Sequence, residues 1–355
     1  MEYTTLALPL SGLLAGTLLG YIARRNFFCT LSSLESHWYG NNSSGLRTWV
    51  LAAVSAAIFT QALVALGLAD TTRAVYLTAN FDWLAAIIGG LAFGFGMALV
   101  GTCGFGALVR LGGGSLKSLM AILVLGISAL SAQRGLLGLT RTEFLQYFTI
   151  DFGFAGDQSI PAITTAMTGL DMRFPVMVIL LGTPLVWIFR DTAYRQNTAS
   201  IMTGTAIGAI CAFGWFVTSA ISAISFDPVQ IESASFVTPV GDSILQFVAF
   251  TGTGPDYGVG MIIGVVLGSA IASNSADNVR WEACDDAREL SRHIVGAALM
   301  GFGGILALGC TIGQGVSAFS LLAVSVPVTM FSIGFGAKLG LAWLLEGSFA
   351  SAFSR

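Results

Sequence analysis

The sequence predicts an all-α, polytopic integral membrane protein of about nine transmembrane helices, with short half-inserted helices and two inverted-topology repeats. Three observations carry this reading. Charged residues make up only 10% of the 355 positions, against 55% apolar, and mean hydropathy is +0.80. A soluble domain carries about 25% charge and could not cover its surface with this supply. Nine runs are apolar enough, and nearly long enough, to cross a hydrocarbon core of about 30 Å. A pattern of glycines and one cysteine also recurs at a fixed offset in the two halves. The composition excludes a soluble enzyme, a nucleic-acid-binding protein and a disordered chain. With 16 Lys and Arg against 19 Asp and Glu, the net charge of −3 leaves no basic surface for nucleic acid. The 44 glycines follow no three-residue period, which excludes collagen. Five cysteines without a C-x-x-C pair or a histidine cluster fit neither a disulfide scaffold nor a zinc site, so no metal or cofactor is expected.

The apolar runs cover 6–23, 48–68, 83–100, 118–131 and 174–189, then 200–224, 258–272, 294–308 and 320–345. The first is preceded by Glu2 and followed by Arg24-Arg25, the reverse of a cleavable leader, and is expected to be retained as a span. Basic residues set the orientation. With the N-terminus outside and spans alternating, eleven of them fall inside, including Arg24, Arg25, Arg110, Lys117, Arg280 and Arg355. Four (Arg73, Arg134, Arg141 and Arg173) fall outside, and Lys338 falls within the last run. The segment 226–256 carries Asp227, Glu232, Asp242 and Asp256 with no cation, which suits the outer side. The expected placement is a cell inner (plasma) membrane, N-terminus outside and C-terminus cytoplasmic.

Shifting the chain by 207 positions brings Gly89, Gly94, Phe95, Gly96, Leu99, Cys103 and Gly106 onto Gly296, Gly301, Phe302, Gly303, Leu306, Cys310 and Gly313. An offset of 192 places Gly12 and Gly16 on Gly204 and Gly208. Matched runs are five apart, an odd number, so the halves should cross the bilayer in opposite directions. The polar stretch 190–199 separates a first half, 1–190, from a second, 200–355. Small residues let helices approach closely, but close approach does not explain a cysteine at the same place in both halves.

Each repeated cysteine lies in a glycine cluster, Gly101-Thr102-Cys103-Gly104-Phe105-Gly106 and Gly309-Cys310-Thr311-Ile312-Gly313-Gln314-Gly315. Glycine clusters break helices, and within a bilayer broken backbone is tolerated only against protein or a cavity. A half-helix starting after each break would aim free N–H groups and partial positive charge at the membrane interior, an arrangement suited to an anion. A third cysteine, Cys29, follows Arg24-Arg25-Asn26-Phe27-Phe28 just past the first run, and a short helix is expected after it. Thiols are soft, weak donors and acceptors, better matched to a sulfur-bearing ligand than to phosphate. Candidate substrate-binding residues are therefore Cys29, Cys103 and Cys310 with Thr102, Gly104, Thr311, Gly313 and Gln314, plus Lys338 as an intramembrane cation. Cys211 and Cys284 read as packing and loop residues, and Arg110 and Lys117 as a solvated flank.

These three cysteine motifs, with the chain length and the glycine-rich broken spans, resemble the YeeE/YedE family of sulfur-compound transporters. The resemblance implies two inverted halves with short helices entering from each side, and thiosulfate uptake along Cys29, Cys103 and Cys310. It also implies passage by S–H···S and S–H···O contacts without a lasting covalent bond. The continuation Ala107-Leu108-Val109-Arg110 is closer to the YedE-like branch, associated with sulfur or selenium metabolism. The expected activity is therefore uptake of a small sulfur anion, thiosulfate first, by a non-enzymatic transporter or channel. The alternative is a membrane-embedded sulfur carrier forming a cysteine persulfide. Expected partners are the anion, the lipid bilayer and a cytoplasmic sulfurtransferase docking near 277–292.

Overall fold

The computed structural model describes residues 2–225, 228–250, 254–284 and 286–348. Asp227 and Arg355, which enter the charge pattern above, lie outside the described residues, as does the side chain of Arg141. The described chain is mostly helical, with very little strand. The first half holds α1 (Glu2–Arg25), α2 (Thr30–Trp38), α3 (Ser44–Ala65), α4 (Trp83–Val100), α5 (Gly104–Gly112), α6 (Leu116–Arg134), α7 (Leu136–Leu145), α8 (Ile160–Thr168), α9 (Arg173–Phe189) and α10 (Thr192–Gln196). The second holds α11 (Thr198–Ile224), α12 (Thr238–Val248), α13 (Tyr257–Ser275), α14 (Ala287–Leu306) and α15 (Ser325–Glu346). A helical stretch, 311–320, lies between α14 and α15 and includes π-helix from Gly313 to Ala318. Two short strands, β1 (Asn80–Asp82) and β2 (Thr149–Asp151), pair antiparallel.

Among the described residues, seven helical segments are long and apolar enough to span a bilayer, so the chain is a multi-pass membrane protein. The predicted count of nine is not reached by this measure. The fifth run forms α9, only 17 residues long. The eighth falls in α14, whose first turns carry Arg288, Glu289 and Arg292. Leu6–Trp38 and Trp83–Gly112 each join a long helix to a short one across a cysteine, so short helices do follow Cys29 and Cys103.

Small residues set the packing. Gly12, Gly16 and Gly20 on α1 face the carbonyl oxygens of Tyr257, Met261 and Val265 on α13. In return, Gly260, Gly264 and Gly268 face those of Pro9, Leu13 and Thr17. Spaced four apart on both helices, these glycines bring two backbones together in parallel, and any Cβ would force them apart. Helices α3 and α11 pack likewise in parallel, Gly204 near Thr48 and Gly208 near Ser55. Helices α4 and α14 cross antiparallel, Gly89 against Gly303 and Gly96 against Gly296.

Candidate functional site

The three predicted cysteines share one local geometry. Cys29 is the N-cap of α2, Cys103 the N-cap of α5, and Cys310 immediately precedes 311–320. Each carbonyl accepts the first helical bond, from Ser33 N at 3.1 Å, Ala107 N at 2.8 Å and Gln314 N at 2.8 Å. The two repeat-related thiols go further. Cys103 Sγ accepts from Gly106 N at 3.4 Å, and Cys310 Sγ accepts from Gly313 N at 3.3 Å. Three helix N-termini thus lie beside three sulfurs, where the first-turn N–H groups and their partial positive charge favour an anion without any ionised side chain.

The backbone before each repeated cysteine is bent to allow this. Helix α4 ends at Gly101 in the left-handed region (φ 77°), a conformation a glycine adopts at no steric cost. At the matching break Leu308 itself has φ 54°, uncommon for a leucine. Gly106 is constrained by packing: a Cβ there would collide with Thr102 Oγ1.

Side chains from both halves meet around the sulfurs. Thr102 Oγ1 lies 3.9 Å from Cys29 Sγ. Cys103 interacts with Cys29, Cys310 and the hydroxyl of Thr311. Thr30 Oγ1 donates to Thr311 Oγ1 at 3.2 Å and accepts from Trp49 Nε1 at 3.1 Å. Backbone groups of Ile312 and Phe236 also face the Cys310 sulfur. Cys103 and Cys310 are buried (1% and 0% exposed), whereas Cys29 is partly exposed.

Two chambers lie at opposite ends of this cluster. One, of about 300 Å³, is acidic and includes Tyr76, Glu232, Ser235, Asp242, Asp256 and Leu308. Its floor reaches the Cys310 break, because a Cβ added to Gly313 would lie 3.0 Å from Tyr76 Oη and 3.1 Å from Ser235 Oγ. The other, of about 740 Å³, is basic and includes Arg24, Arg25, Arg110, Lys117, Arg280 and Glu282. It reaches the Cys103 break through Arg110, which donates to the Gly101 carbonyl at 2.9 Å. Asp256 caps the start of α13 at the acidic chamber, while Ser273 and Ser275 near its end line the basic one. Its 19 residues span about 28 Å, close to the hydrocarbon thickness of a bilayer.

The structure therefore brings together Cys29, Cys103, Cys310, Thr102 and Thr311, with Gly104 and Gly313 in the first turns of their helices. Gln314 is also present, but its Nε2 donates to the carbonyls of Ala307 (2.7 Å) and Leu308 (3.4 Å), holding the end of α14. Lys338 is half-buried in α15, beside Ala337, which packs on Gly94 of α4, and lines neither chamber. Sequence reasoning missed Trp49, Tyr76, Ser235 and Phe236, which reach the site only through tertiary packing. It also set Cys211 apart, although that buried residue in α11 interacts with Ser317 of the π-helical turn and with Cys310.

A family model described as sulphur transport matches residues 25–339. The chain is 26% identical over 319 residues to a thiosulfate transporter, TsuA, of Escherichia coli (strain K12), covering 86% of each chain. It is 24% identical over 350 residues to a thiosulfate transporter, TsuA, of Spirochaeta thermophila, covering 94% of this chain and 98% of the relative.

Proposed function

The chain belongs to the sulphur-transport family, and on that premise we propose that it carries thiosulfate, or a close sulfur oxyanion, between the two chambers past the three thiols. The observation that carries this reading is the convergence of Cys29, Cys103 and Cys310, each at a helix N-terminus, on one buried point between the chambers. A dianion there meets backbone N–H donors and partial positive charge, and its terminal sulfur meets soft thiols. The order along the path is Cys310 at the acidic end, Cys103 between, and Cys29 at the basic end. No covalent bond is needed, because each thiol donates its S–H to the ion and the next thiol donates in turn as the ion moves on.

The basic end is taken as cytoplasmic, in line with the bias of Lys and Arg toward inner loops. This places the N-terminus outside and the C-terminus inside, in an inner membrane. The halves 1–190 and 200–355 are read as inverted repeats. Packing supports this: exchanging α1 with α11, α3 with α13, α4 with α14 and α6 with α15 turns the α1–α13 pair into α3–α11 and the α4–α15 pair into α6–α14, and leaves the α4–α14 pair as it is.

The test is uptake of radiolabelled thiosulfate into proteoliposomes, challenged by excess unlabelled thiosulfate, sulfate, sulfite and selenite. Preferential block by thiosulfate is expected. Equal block by sulfate would remove the role of the thiols in selection.

A further inference from the structure

The basic chamber gathers four arginines and one lysine around a single glutamate. Lys117 is paired, with Glu282 at 3.9 Å and Glu289 at 3.5 Å. Among the described residues, the four arginines are bonded to no carboxylate. Arg24 donates to the carbonyl of Asn278 at 3.2 Å and packs against Gly113, where a Cβ would come within 2.6 Å. Arg25 donates to Tyr21 Oη at 3.0 Å, and Arg110 to the Gly101 carbonyl. The side chain of Arg280 makes no hydrogen bond among the described residues. Like charges gathered in one cavity repel, and only a counter-ion makes the cluster favourable.

A second observation is independent of charge. Ser273 lines the same chamber, is 1% exposed, and its Oγ has no hydrogen-bond partner among the described residues. A buried hydroxyl left unbonded is costly unless a ligand supplies the bond. The walls are also firm, because the loop after α5 is laced to the one before α14. Arg280 N donates to the Gly113 carbonyl at 3.0 Å, and Leu116 N to the Glu282 carbonyl at 2.8 Å.

We propose that this chamber is a second anion-binding site, distinct from the thiols, which holds a small divalent oxyanion between its arginines and Ser273. It rests on the transport reading only for the identity of the ion. The ion is recognised as a counter-charge by the guanidinium groups, one of which, that of Arg110, reaches back to the Gly101 carbonyl beside the Cys103 break. It is therefore retained at this mouth after passing the thiols. The phosphate of an anionic lipid headgroup shares this chemistry, and the experiment separates the two.

Full-length protein carrying Cys29→Ala, Cys103→Ala and Cys310→Ala, in neutral detergent, would be dialysed to equilibrium against radiolabelled sulfate and, separately, thiosulfate. The expected result is saturable binding of one ion, weakened by added salt. It should fall about tenfold with Arg280→Gln, as loss of a charge-assisted contact implies. Arg280→Gln removes no bond from the fold, and Ser273→Ala gives a second, uncharged variant expected to weaken binding. Absence of binding by the cysteine-free protein, or binding indifferent to both substitutions, would overturn the proposal. Binding of phosphatidylglycerol with no binding of either free ion would overturn it in favour of a lipid site. Failure of the transport reading would look different, with no thiosulfate uptake by the unaltered protein and chamber binding intact.

Discussion

Thr30 Oγ1 donates to Thr311 Oγ1, so the residue after Cys29 is bonded to the residue after Cys310. One hydrogen bond thus fixes two thiol-bearing helix starts from opposite halves of the chain. Trp49 Nε1 extends the link to α3 by donating to Thr30. The pair is buried, with Thr30 4% and Thr311 0% exposed.

Removing either hydroxyl should cost stability unequally. Thr311→Val loses the bond from Thr30 and the weaker contact with the Cys103 thiol, together worth about 1 kcal/mol. Thr30→Val also leaves the buried Trp49 N–H without its acceptor, and about 2–3 kcal/mol is expected. Chemical unfolding in detergent, read by tryptophan fluorescence, measures both. Equal losses would mean that the Trp49 bond contributes nothing.

Two neighbouring glycines of α5 should behave in opposite ways. A Cβ at Gly106 meets Thr102 Oγ1, the group next to Cys29 Sγ, so Gly106→Ala must turn Thr102 away or shift the helix start. A Cβ at Gly104 finds only Leu125 Cδ1, at 3.3 Å, which a small rotation relieves. Uptake should fall about tenfold or more in Gly106→Ala, an effect of at least ~1.4 kcal/mol. Gly104→Ala should remain within about twofold of the unaltered protein, or ~0.4 kcal/mol.

This contrast marks what the sequence could convey. Cys103 and Cys310 were legible because their motif repeats at a fixed offset, and because glycine clusters in an apolar run have few explanations besides a broken helix. The helix starts after them followed from the same pattern, and the one after Cys29 from its place just past the first apolar run. Tyr76, Ser235 and Phe236 were not legible, since they lie in connecting segments whose aperiodic residues acquire meaning only when the chain folds back on Cys310. Gln314 was legible as polar and near the break, but its partners, the carbonyls at the end of α14, are a property of the π-helical turn that follows. The glycine rows of α1 and α13 were half legible: the first was visible as Gly12 and Gly16, but its partner row carries the same spacing with no sequence link between them.

The cysteines should separate into two classes. Cys103→Ala and Cys310→Ala each remove a buried sulfur bonded to a helix N–H, and initial uptake should drop by at least about tenfold, or ~1.4 kcal/mol. Cys284→Ala lies outside the path, in the segment before α14, and should transport normally. Mass spectrometry of thiosulfate-treated protein should find no lasting adduct on Cys103 or Cys310. A stable persulfide there would instead support the carrier reading.

The acidic chamber should make uptake depend on pH. Glu232 lies between α11 and α12, and its carboxyl is pushed up to about 8, chiefly by burial and next by the nearby Asp256 charge. The Gly258 N–H, donating to Glu232 Oε1 at 3.2 Å, opposes that shift, while Asp242 adds to it. The other groups facing it are Tyr76 and Tyr257, with Arg134 paired to Asp242 at 3.1 Å. Since the folded pKa is raised, the native state holds the proton more tightly than the unfolded chain. Stability is full below the ordinary carboxylate range and declines as pH rises through about 8. Transport should follow the same titration. Above it the mouth carries one more negative charge, and a dianion passing at ~8 Å in a water-like dielectric meets about 1 kcal/mol of added repulsion, or about fivefold in rate. Initial uptake should therefore be several-fold faster at about pH 7 than at about pH 9, and Glu232→Gln should be fast at both. A Glu232→Gln protein that keeps the full pH dependence would assign the titration to another group.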